Sequence, residues 1–521
     1  MYKRTIGIFL FLILFSVTTS LAQQEKNTLS LSLEDCILKT MKNNLNVAIE
    51  VLNPELADIN VSLSKEKFLP QLSFDLSRRS TNQASYSWIE AANQVISDRD
   101  DYSAQISQLI PTGGNFSISL TNYINDTNRV TNTINPIYSS TLRFNFTQPL
   151  LRNFGFKVNR REIIIANNNM DISENQFKRI LQQTIYSVEE AYWNLVYNIE
   201  MLKVRKQSLK LAQDLLEKNK RAVEVGTMAK IEILNAQSAV ATREADILAA
   251  EAQEKNSEDL LKTTLNLVVE KEGADLANII PIDKPTYEKK EVNLDEALVI
   301  AMENRPDLQA TRIGLKNNEI NLSYTKNQLL PDLSLQASYW SPGISGDLIL
   351  FEDPTDRFLP TGTIEGSPSA AMKDAFGFRY DNWSIGLTLS IPLNTVLSRA
   401  SYAQARVNLD QALLRLKNQE QQIFLEIKNV VRAVQTDYKR VQAYKVAREL
   451  AERQLEAEEE KLRVGISTNY FVLQYQTDLT TAHTNELKAI IDYNLSLASL
   501  SRAMGVSLKD KNISFLSILN R

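Results

Sequence analysis

Hydrophobic positions in this chain follow two periods, and the switches between them divide it into a few kinds of element. From Val188 through Tyr192, Leu195, Ile199, Leu202, Leu209, Ala212, Leu216 and Val223, apolar residues recur at steps of three, four or seven. Val430, Val434, Tyr438, Val441, Ala447, Ala451, Leu455 and Leu462 repeat that pattern slightly less regularly. This is coiled-coil spacing, with Lys, Glu, Arg and Gln filling many remaining positions. Elsewhere the period drops to two. Leu72, Phe74 and Leu76 alternate with Ser73, Asp75 and Ser77, and Leu333, Leu335 and Ala337 alternate with Ser334, Gln336 and Ser338. Such segments read as strands with one apolar face and one polar face. A second strand is expected to close each pair, over Thr141–Pro149 and Trp383–Pro392.

The helical pattern predicts rods from Lys157 to Glu224 and from Val396 to Arg463, each about 100 Å long at ~1.5 Å per residue. Returning helices, Met228–Leu265 and Ser467–Met504, end at Asn266 and Gly505, residue types that tolerate a left-handed helix end. Short helices start near Leu33 and Leu294, with Ser32 and Asn293 as N-caps. Second helices follow over Asn46–Lys67 and Asp307–Leu330. Pro54 kinks or delays the first, and Pro70 and Pro331 stop the pair. Laid end to end with a returning helix, each second helix makes a composite rod nearly as long as the long one. The segments 267–306 and 506–521 are then expected to bulge as a collar.

The chain is one module written twice. Residues 31–77 align with 292–338 at a constant offset of 261, pairing Leu33/Leu294, Met41/Met302, Asn43/Asn304, Lys65/Lys326 and Pro70/Pro331. Later, Val225-Gly226 with Leu234 and Gln237 matches Val464-Gly465 with Leu473 and Gln476 at offset 239. Repeats of this kind set the fold before any single element does.

Residues 1–22 have the layout of a secretory signal peptide: Lys3 and Arg4, the apolar run Ile6–Phe15, and small residues at Ser20-Leu21-Ala22. That run is short of the ~20 residues a membrane-spanning helix needs. No later segment reads as such a helix, so any membrane insertion must use strands. Among the 521 residues, 58 Lys plus Arg nearly balance 62 Asp plus Glu, which gives no electrostatic footprint for nucleic acid. A single Cys and a single His exclude a disulfide framework and a Cys/His zinc cluster. Cys36 aligns with Ala297 and reads as a small packed residue; His483 has no partner histidine or thiol. There is no nucleophile elbow and no phosphate-binding loop. The chain therefore reads as a non-enzyme without metal or cofactor, its energy supplied by a partner.

The strand regions are rich in Asn, Ser and Thr, with Tyr86, Trp88, Tyr102, Tyr123, Tyr138, Tyr339, Trp340 and Trp383 near their ends. Alternating segments edged by aromatics are the outer-membrane barrel signature. Four strands cannot close a barrel, and open edges in lipid leave backbone groups unpaired. Several chains must contribute strands.

The doubled module, the Leu33/Leu294 helix starts, the Pro70 and Pro331 breaks and the two Val-Gly turns together resemble the TolC family of outer-membrane efflux proteins, over about residues 30–505. The resemblance implies a mainly α fold with β: a duplicated helix–β-hairpin–long-helix module. After the signal peptide, repeats 23–282 and 283–521 would form an oligomeric outer-membrane β-barrel continued by a periplasmic α-helical coiled-coil barrel. It implies a homotrimer whose twelve strands form one barrel in outer-membrane lipid. A periplasmic adaptor (membrane fusion protein) and an inner-membrane pump would couple to it, for efflux or type I secretion of small molecules or proteins. Two other readings compete: a secreted coiled-coil stalk or adhesin, and a periplasmic adaptor.

Two stretches depart from the family pattern. One surrounds Pro111-Thr112-Gly113-Gly114 and reads as an extra hairpin, which either adds strands to the barrel or folds over its outer mouth. The other, residues 341–381, is rich in Gly, Pro, Asp and Ser and reads as a long external loop. Gly226-Thr227 and Gly465-Ile466 sit where long helices reverse, and the resemblance places these turns at the periplasmic end, against the adaptor. Arg221, Glu232, Lys461 and Arg463 are candidates for a gate latch, with Glu232 expected to pair with a second-tip cation. Phe471 and Gln474 occupy the places where some relatives carry acidic residues lining the constriction.

Overall fold

The structure, a computed structural model, describes residues 28–85, 93–267, 278–353, 356–515 and 518. The expected signal peptide and the aromatics Tyr86 and Trp88 lie outside the described residues. In chain order the first repeat runs β1 (Thr28–Leu31), α1 (Leu33–Asn43), α2 (Leu45–Glu50), α3 (Leu52–Glu66), β2 (Gln71–Ala84), β3 (Gln94–Leu109), β4 (Asn115–Thr127), β5 (Ile134–Pro149), α4 (Phe156–Asn159), α5 (Arg161–Glu224) and α6 (Ile231–Thr264). The second runs β6 (Asn278–Pro281), α7 (Leu294–Asn304), α8 (Pro306–Asn327), β7 (Asp332–Asp353), β8 (Asp356–Ile364), α9 (Pro368–Phe376), β9 (Asn382–Ser390), α10 (Val396–Arg463), α11 (Asn469–Ala503) and α12 (Ser507–Asp510).

The chain forms two compact units, and the long helices contribute residues to both. One comprises Met1–Asn44, Ser187–Tyr287 and Arg440–Leu495; the other comprises Leu45–Tyr186, Glu288–Lys439 and Ser496–Arg521.

In the first unit, α1 starts as expected. The Ser32 hydroxyl accepts from the Asp35 N–H and the Asp35 carboxylate accepts from the Ser32 N–H, a reciprocal capping box. Strands β1 and β6 pair in parallel, Thr28 with Asn278 through Leu31 with Pro281. Asp283 fastens the segment after β6: its carboxylate accepts from the Leu33 N–H at 2.6 Å and from the buried Tyr192 hydroxyl at 3.0 Å. Glu258, also buried, accepts from the Ile279 N–H at 2.9 Å and pairs with Lys255 at 2.7 Å. The expected coiled-coil positions Val188, Tyr192, Leu195, Ala212, Val441 and Leu455 are all buried. Cys36 is buried too, and burial pushes its thiol up to about 12, so it stays protonated and inert.

In the second unit, six strands form an antiparallel up-and-down sheet in the order β2-β3-β4-β5-β7-β9, with β8 paired to the far end of β7. The extra hairpin is therefore part of the sheet: β3 and β4 stand between β2 and β5 over their full length. Its turn lies at the helix-bearing end, where the Gly155 N–H donates to the Thr112 carbonyl at 2.9 Å. The resemblance implied four strands per chain; the chain supplies six to this sheet. The long loop expected at 341–381 is replaced by the outer half of β7, by β8 and by α9. Its Gly and Pro content reflects close backbone packing, since a Cβ on Gly343 would sit 2.0 Å from the Ala371 carbonyl oxygen. The first second helix is also broken, between α2 and α3 at Val51, and Pro54 falls in the first turn of α3, where its missing N–H costs nothing.

The two returning helices end in similar ways. In the first unit, Asn266 is left-handed (φ 54°) and its side chain donates to the Asn43 carbonyl at 3.0 Å. In the second unit, Gly505 takes φ 76° against the Asn304 carbonyl, and Arg305 donates to the Ala503 carbonyl at 3.2 Å. Arg305 also pairs with Asp307 at 2.7 Å and Glu426 at 2.5 Å.

Candidate functional site

Register divides the sheet into two chemically different faces. Side chains alternate along a strand, so residues paired across the ladder share a face. Pairing carries Leu72 to Ile106, Ile106 to Ile118, Ile118 to Phe144, Phe144 to Tyr339 and Tyr339 to Trp383. Phe74, Leu120, Leu142, Phe146, Leu335, Ile385 and Leu387 fall on the same side. One face is therefore a continuous apolar band across six strands, and most of it is uncovered: Phe74 is 69% exposed, Leu76 76% and Ile385 68%, while Leu142 near its outer margin is buried. An exposed apolar area of this extent, with apolar-out alternation on every strand, has the pattern of the lipid-facing side of an outer-membrane barrel. Beyond the band, toward the end away from the helices, Arg78 meets Asp100 at 3.6 Å. Tyr102, Tyr339 and Trp383 border it there, as an aromatic girdle does.

The opposite face is polar. Ser73, Asp75, Ser103, Asp101, Ser119, Thr121, Asn145, Ser338 and Thr388 line it. Its hydrogen bonds run from strand to strand: Ser103 to Asp75 at 3.1 Å and Ser338 to Asn145 at 2.8 Å. Two guanidinium groups sit over aromatic rings there, Arg99 over Tyr123 at 3.9 Å and Arg143 over Trp340 at 4.9 Å. Arg99 also pairs with Asp101 at 2.8 Å.

Both ends of the sheet are open. Strand β2 is bonded only to β3 and β9 only to β7 among the described residues. Since β2 leaves the helix-bearing end and β9 returns to it, the two edges run antiparallel, as closure between copies requires.

The helical turns of the first unit form the other candidate surface. Helix α5 ends in a six-residue closure: Thr227 N–H donates to Ala222 O at 2.9 Å and Gly226 N–H to Val223 O at 3.0 Å, with Gly226 at φ 80°. Helix α10 ends identically, Ile466 to Lys461 at 3.0 Å and Gly465 to Leu462 at 3.1 Å, with Gly465 at φ 84°. Both are Schellman motifs, which require a left-handed residue at this place. Val225, Val464 and Ile466 are exposed around them.

The expected latch residues are differently partnered. Lys461 pairs with Glu458 on its own helix at 3.0 Å, and Arg463 pairs with Glu460 one turn away. Glu232 instead accepts from the buried Asn469 side chain at 3.2 Å, so an amide takes the place expected for a cation. Arg221 is exposed and, after Lys220, contributes to holding the Glu217 carboxyl below its ordinary range. Glu458 is held low by the Ser467 hydroxyl and then by Lys461. Phe471 is exposed, its ring against Tyr470, and Gln474 donates to Asp478 at 3.0 Å.

One residue escaped sequence reasoning. Arg243 is 8% exposed, and its guanidinium donates to Gln476 at 2.8 Å and to the Ser208 carbonyl at 3.3 Å. Thr480 joins through the Ser208 hydroxyl at 3.1 Å. An arginine on a helix otherwise bearing many charges carries no signal of burial. Nearby, a cavity of about 400 Å³ opens among Leu211, Lys218, Met228, Glu459, Arg463 and Gln476.

Comparison with known proteins places the chain among outer-membrane efflux proteins. The chain is 24% identical over 339 residues to the outer membrane protein TolC of Vibrio cholerae serotype O1, covering 64% of this chain and 70% of that one. It is 21% identical over 336 residues to the probable efflux pump outer membrane protein TtgC of Pseudomonas putida, covering 64% and 63%. Among solved structures, the CmeC outer membrane channel of Campylobacter jejuni superposes with a TM-score of 0.63 at 15% identity, covering 92% of this chain and 89% of that one. The outer membrane protein VceC of Vibrio cholerae gives 0.61 at 15%, covering 91% and 96%. The family profile described as outer membrane efflux protein matches residues 37–267 and 297–506, and the chain belongs to that family.

Proposed function

We propose that this protein is the passive exit duct of a tripartite export assembly, three copies closing one barrel in the outer membrane and extending helices into the periplasm. The observation that carries this reading is the two-faced sheet with two unpaired edges. In lipid each unpaired backbone group costs several kcal/mol, so β9 of one copy must bond β2 of the next. Six strands per copy give eighteen in a trimer, an even number within the range of known barrels. The apolar band faces lipid and the Ser-, Thr- and Asn-rich face lines the lumen. The turns at Gly226-Thr227 and Gly465-Ile466 receive a periplasmic adaptor, which couples the duct to an inner-membrane pump. Glu232 and Asn469 tie α6 to α11 behind those turns and help hold the entrance closed. The relative TtgC of Pseudomonas putida, a probable efflux pump outer membrane protein, supports outward transport as the direction of this duct.

Paired cysteines test the closure. Ser73→Cys with Thr388→Cys, or Ser77→Cys with Ser384→Cys, places one thiol on each edge at matching height. Covalent ladders ending at a trimer are expected after oxidation. Chains that stay monomeric with every pairing, and give no conductance in planar bilayers, overturn the reading.

A further inference from the structure

Helix α9 is packed inside out. Ala371 and Ala375, one turn apart, are fully buried against the sheet, while Met372 (40% exposed) and Phe376 (51%) point away from it. A helix docked on a protein in water buries its large apolar residues and exposes the small ones. Small residues toward the protein and large ones outward is the arrangement used where the surroundings are themselves apolar, because it lets backbones approach closely.

The place of the helix agrees. Gly343 and Ser140 lie beneath it, paired to each other in register and sharing the face of Tyr339 and Phe144, which is the apolar one. Just after the helix, the Phe378 ring joins that face, 5.8 Å from Tyr339 and 6.4 Å from Phe144. The helix thus sits outside the sheet wall, next to the aromatic border of the band, at the end away from the long helices. Tyr380 follows, half exposed, and Arg379 is paired with Asp374 at 3.3 Å.

We infer that α9 is an interfacial strap whose outer side, Met372, Phe376 and Tyr380, is embedded at the acyl–headgroup boundary of the outer leaflet. The inference rests on the barrel reading above, because it takes the apolar face as the lipid face. The occupant is lipid, since the strap continues the apolar band without a break. Aromatic and Met side chains beside exposed Lys373 suit a boundary between acyl chains and anionic headgroups. The strap also shields the small, polar stretch Ser140–Ser341–Gly343 from the acyl region.

The test uses the full chain in nanodiscs, in a Cys36→Ala background, alanine being the residue that the other copy carries at the equivalent position, Ala297. Met372→Cys, Phe376→Cys and, as a reference within the band, Ile385→Cys each carry an environment-sensitive fluorophore. Quenching of the 372 and 376 probes by headgroup-proximal spin-labelled lipid should exceed quenching by aqueous iodide at least about twofold. Iodide-dominated quenching at both sites, with the 385 probe quenched by lipid, overturns the strap and leaves the barrel standing. Protection of both sites from lipid and iodide alike means a neighbouring subunit covers α9, which also overturns it. Failure of the 385 probe to meet lipid overturns the barrel reading itself.

Discussion

Arg243 and Gln476 meet across 2.8 Å inside the first unit, on the two returning helices, one from each copy of the duplicated module. Gln476 has its repeat counterpart in Gln237, whereas Arg243 is matched by Ala482 at the same offset. The duplication has thus diverged at a point where the copies grip each other through a buried polar contact. Removing a partner leaves the other's buried polar group without its bond. Arg243→Ala should cost about 1–3 kcal/mol, and Gln476→Ala, which leaves a buried cation short of its acceptor, should cost at least as much. Thermal unfolding of the purified oligomer measures both, and the double variant should be milder than the sum.

The two turn glycines offer a cleaner case. No atom lies within 4 Å of a Cβ built on Gly226 or Gly465, so replacement by Ala meets only the backbone penalty of the left-handed conformation. Each Gly→Ala change should cost about 1–2 kcal/mol, and Gly→Asn distinctly less. Hydrogen exchange at the α5 and α10 ends should report the loss locally.

Glu458 makes the second turn sensitive to acid. Its carboxyl is depressed by the Ser467 hydroxyl first and by Lys461 second. A depressed carboxyl stabilises the folded state above its unfolded value, and that contribution is lost as pH falls through the lower folded value. Loosening of the α10–α11 turn should therefore begin below the ordinary value of 4.5 and be absent in Glu458→Gln. Amide exchange at 464–468 across a pH series follows it.

At the tips, the Glu232–Asn469 contact and the Arg463–Glu460 pair make opposite predictions. Arg463 is bonded within its own helix and exposed, so Arg463→Ala should leave conductance at the parent level. Glu232→Ala and Asn469→Ala should raise open probability by similar amounts and show coupling in the double variant. Equal conductance across all three removes Glu232 and Asn469 from the gate.

Neighbouring residues on β4 test which face of the sheet meets lipid. Leu120 belongs to the apolar face and Thr121 to the polar one. Leu120→Lys should cost about 2–4 kcal/mol and reduce the yield of membrane-inserted oligomer. Thr121→Lys should insert normally and shift ion selectivity toward anions in planar bilayers.

Much of the architecture is legible in the residues because it rests on local signals. The long helices end at the Val-Gly pairs, and Asn266 and Gly505 take the left-handed ends their residue types allow. Strand faces follow from alternation alone. What is not legible depends on contacts distant in sequence. The 341–381 segment has loop composition, yet Gly343 is there to admit the backbone of α9, and alanines turned inward leave no amphipathic signature. The partner of Glu232 is likewise a matter of which side chain arrives from a helix more than two hundred residues away, and charge alone pointed to Lys461 or Arg463.

The β3–β4 hairpin has a consequence for the fit between wall types in the second unit. Strands tilted near 40° each occupy about 6 Å of circumference, so six span about 37 Å. Four helices of this unit, α3, α8 and the unit's parts of α5 and α10, packed 8–10 Å apart span about 32–40 Å. With four strands the sheet would subtend only about 25 Å, and the lumen would have to pinch where helix gives way to strand. The inserted hairpin equalises the two perimeters, so cargo leaving the helical section meets an opening of about the same bore.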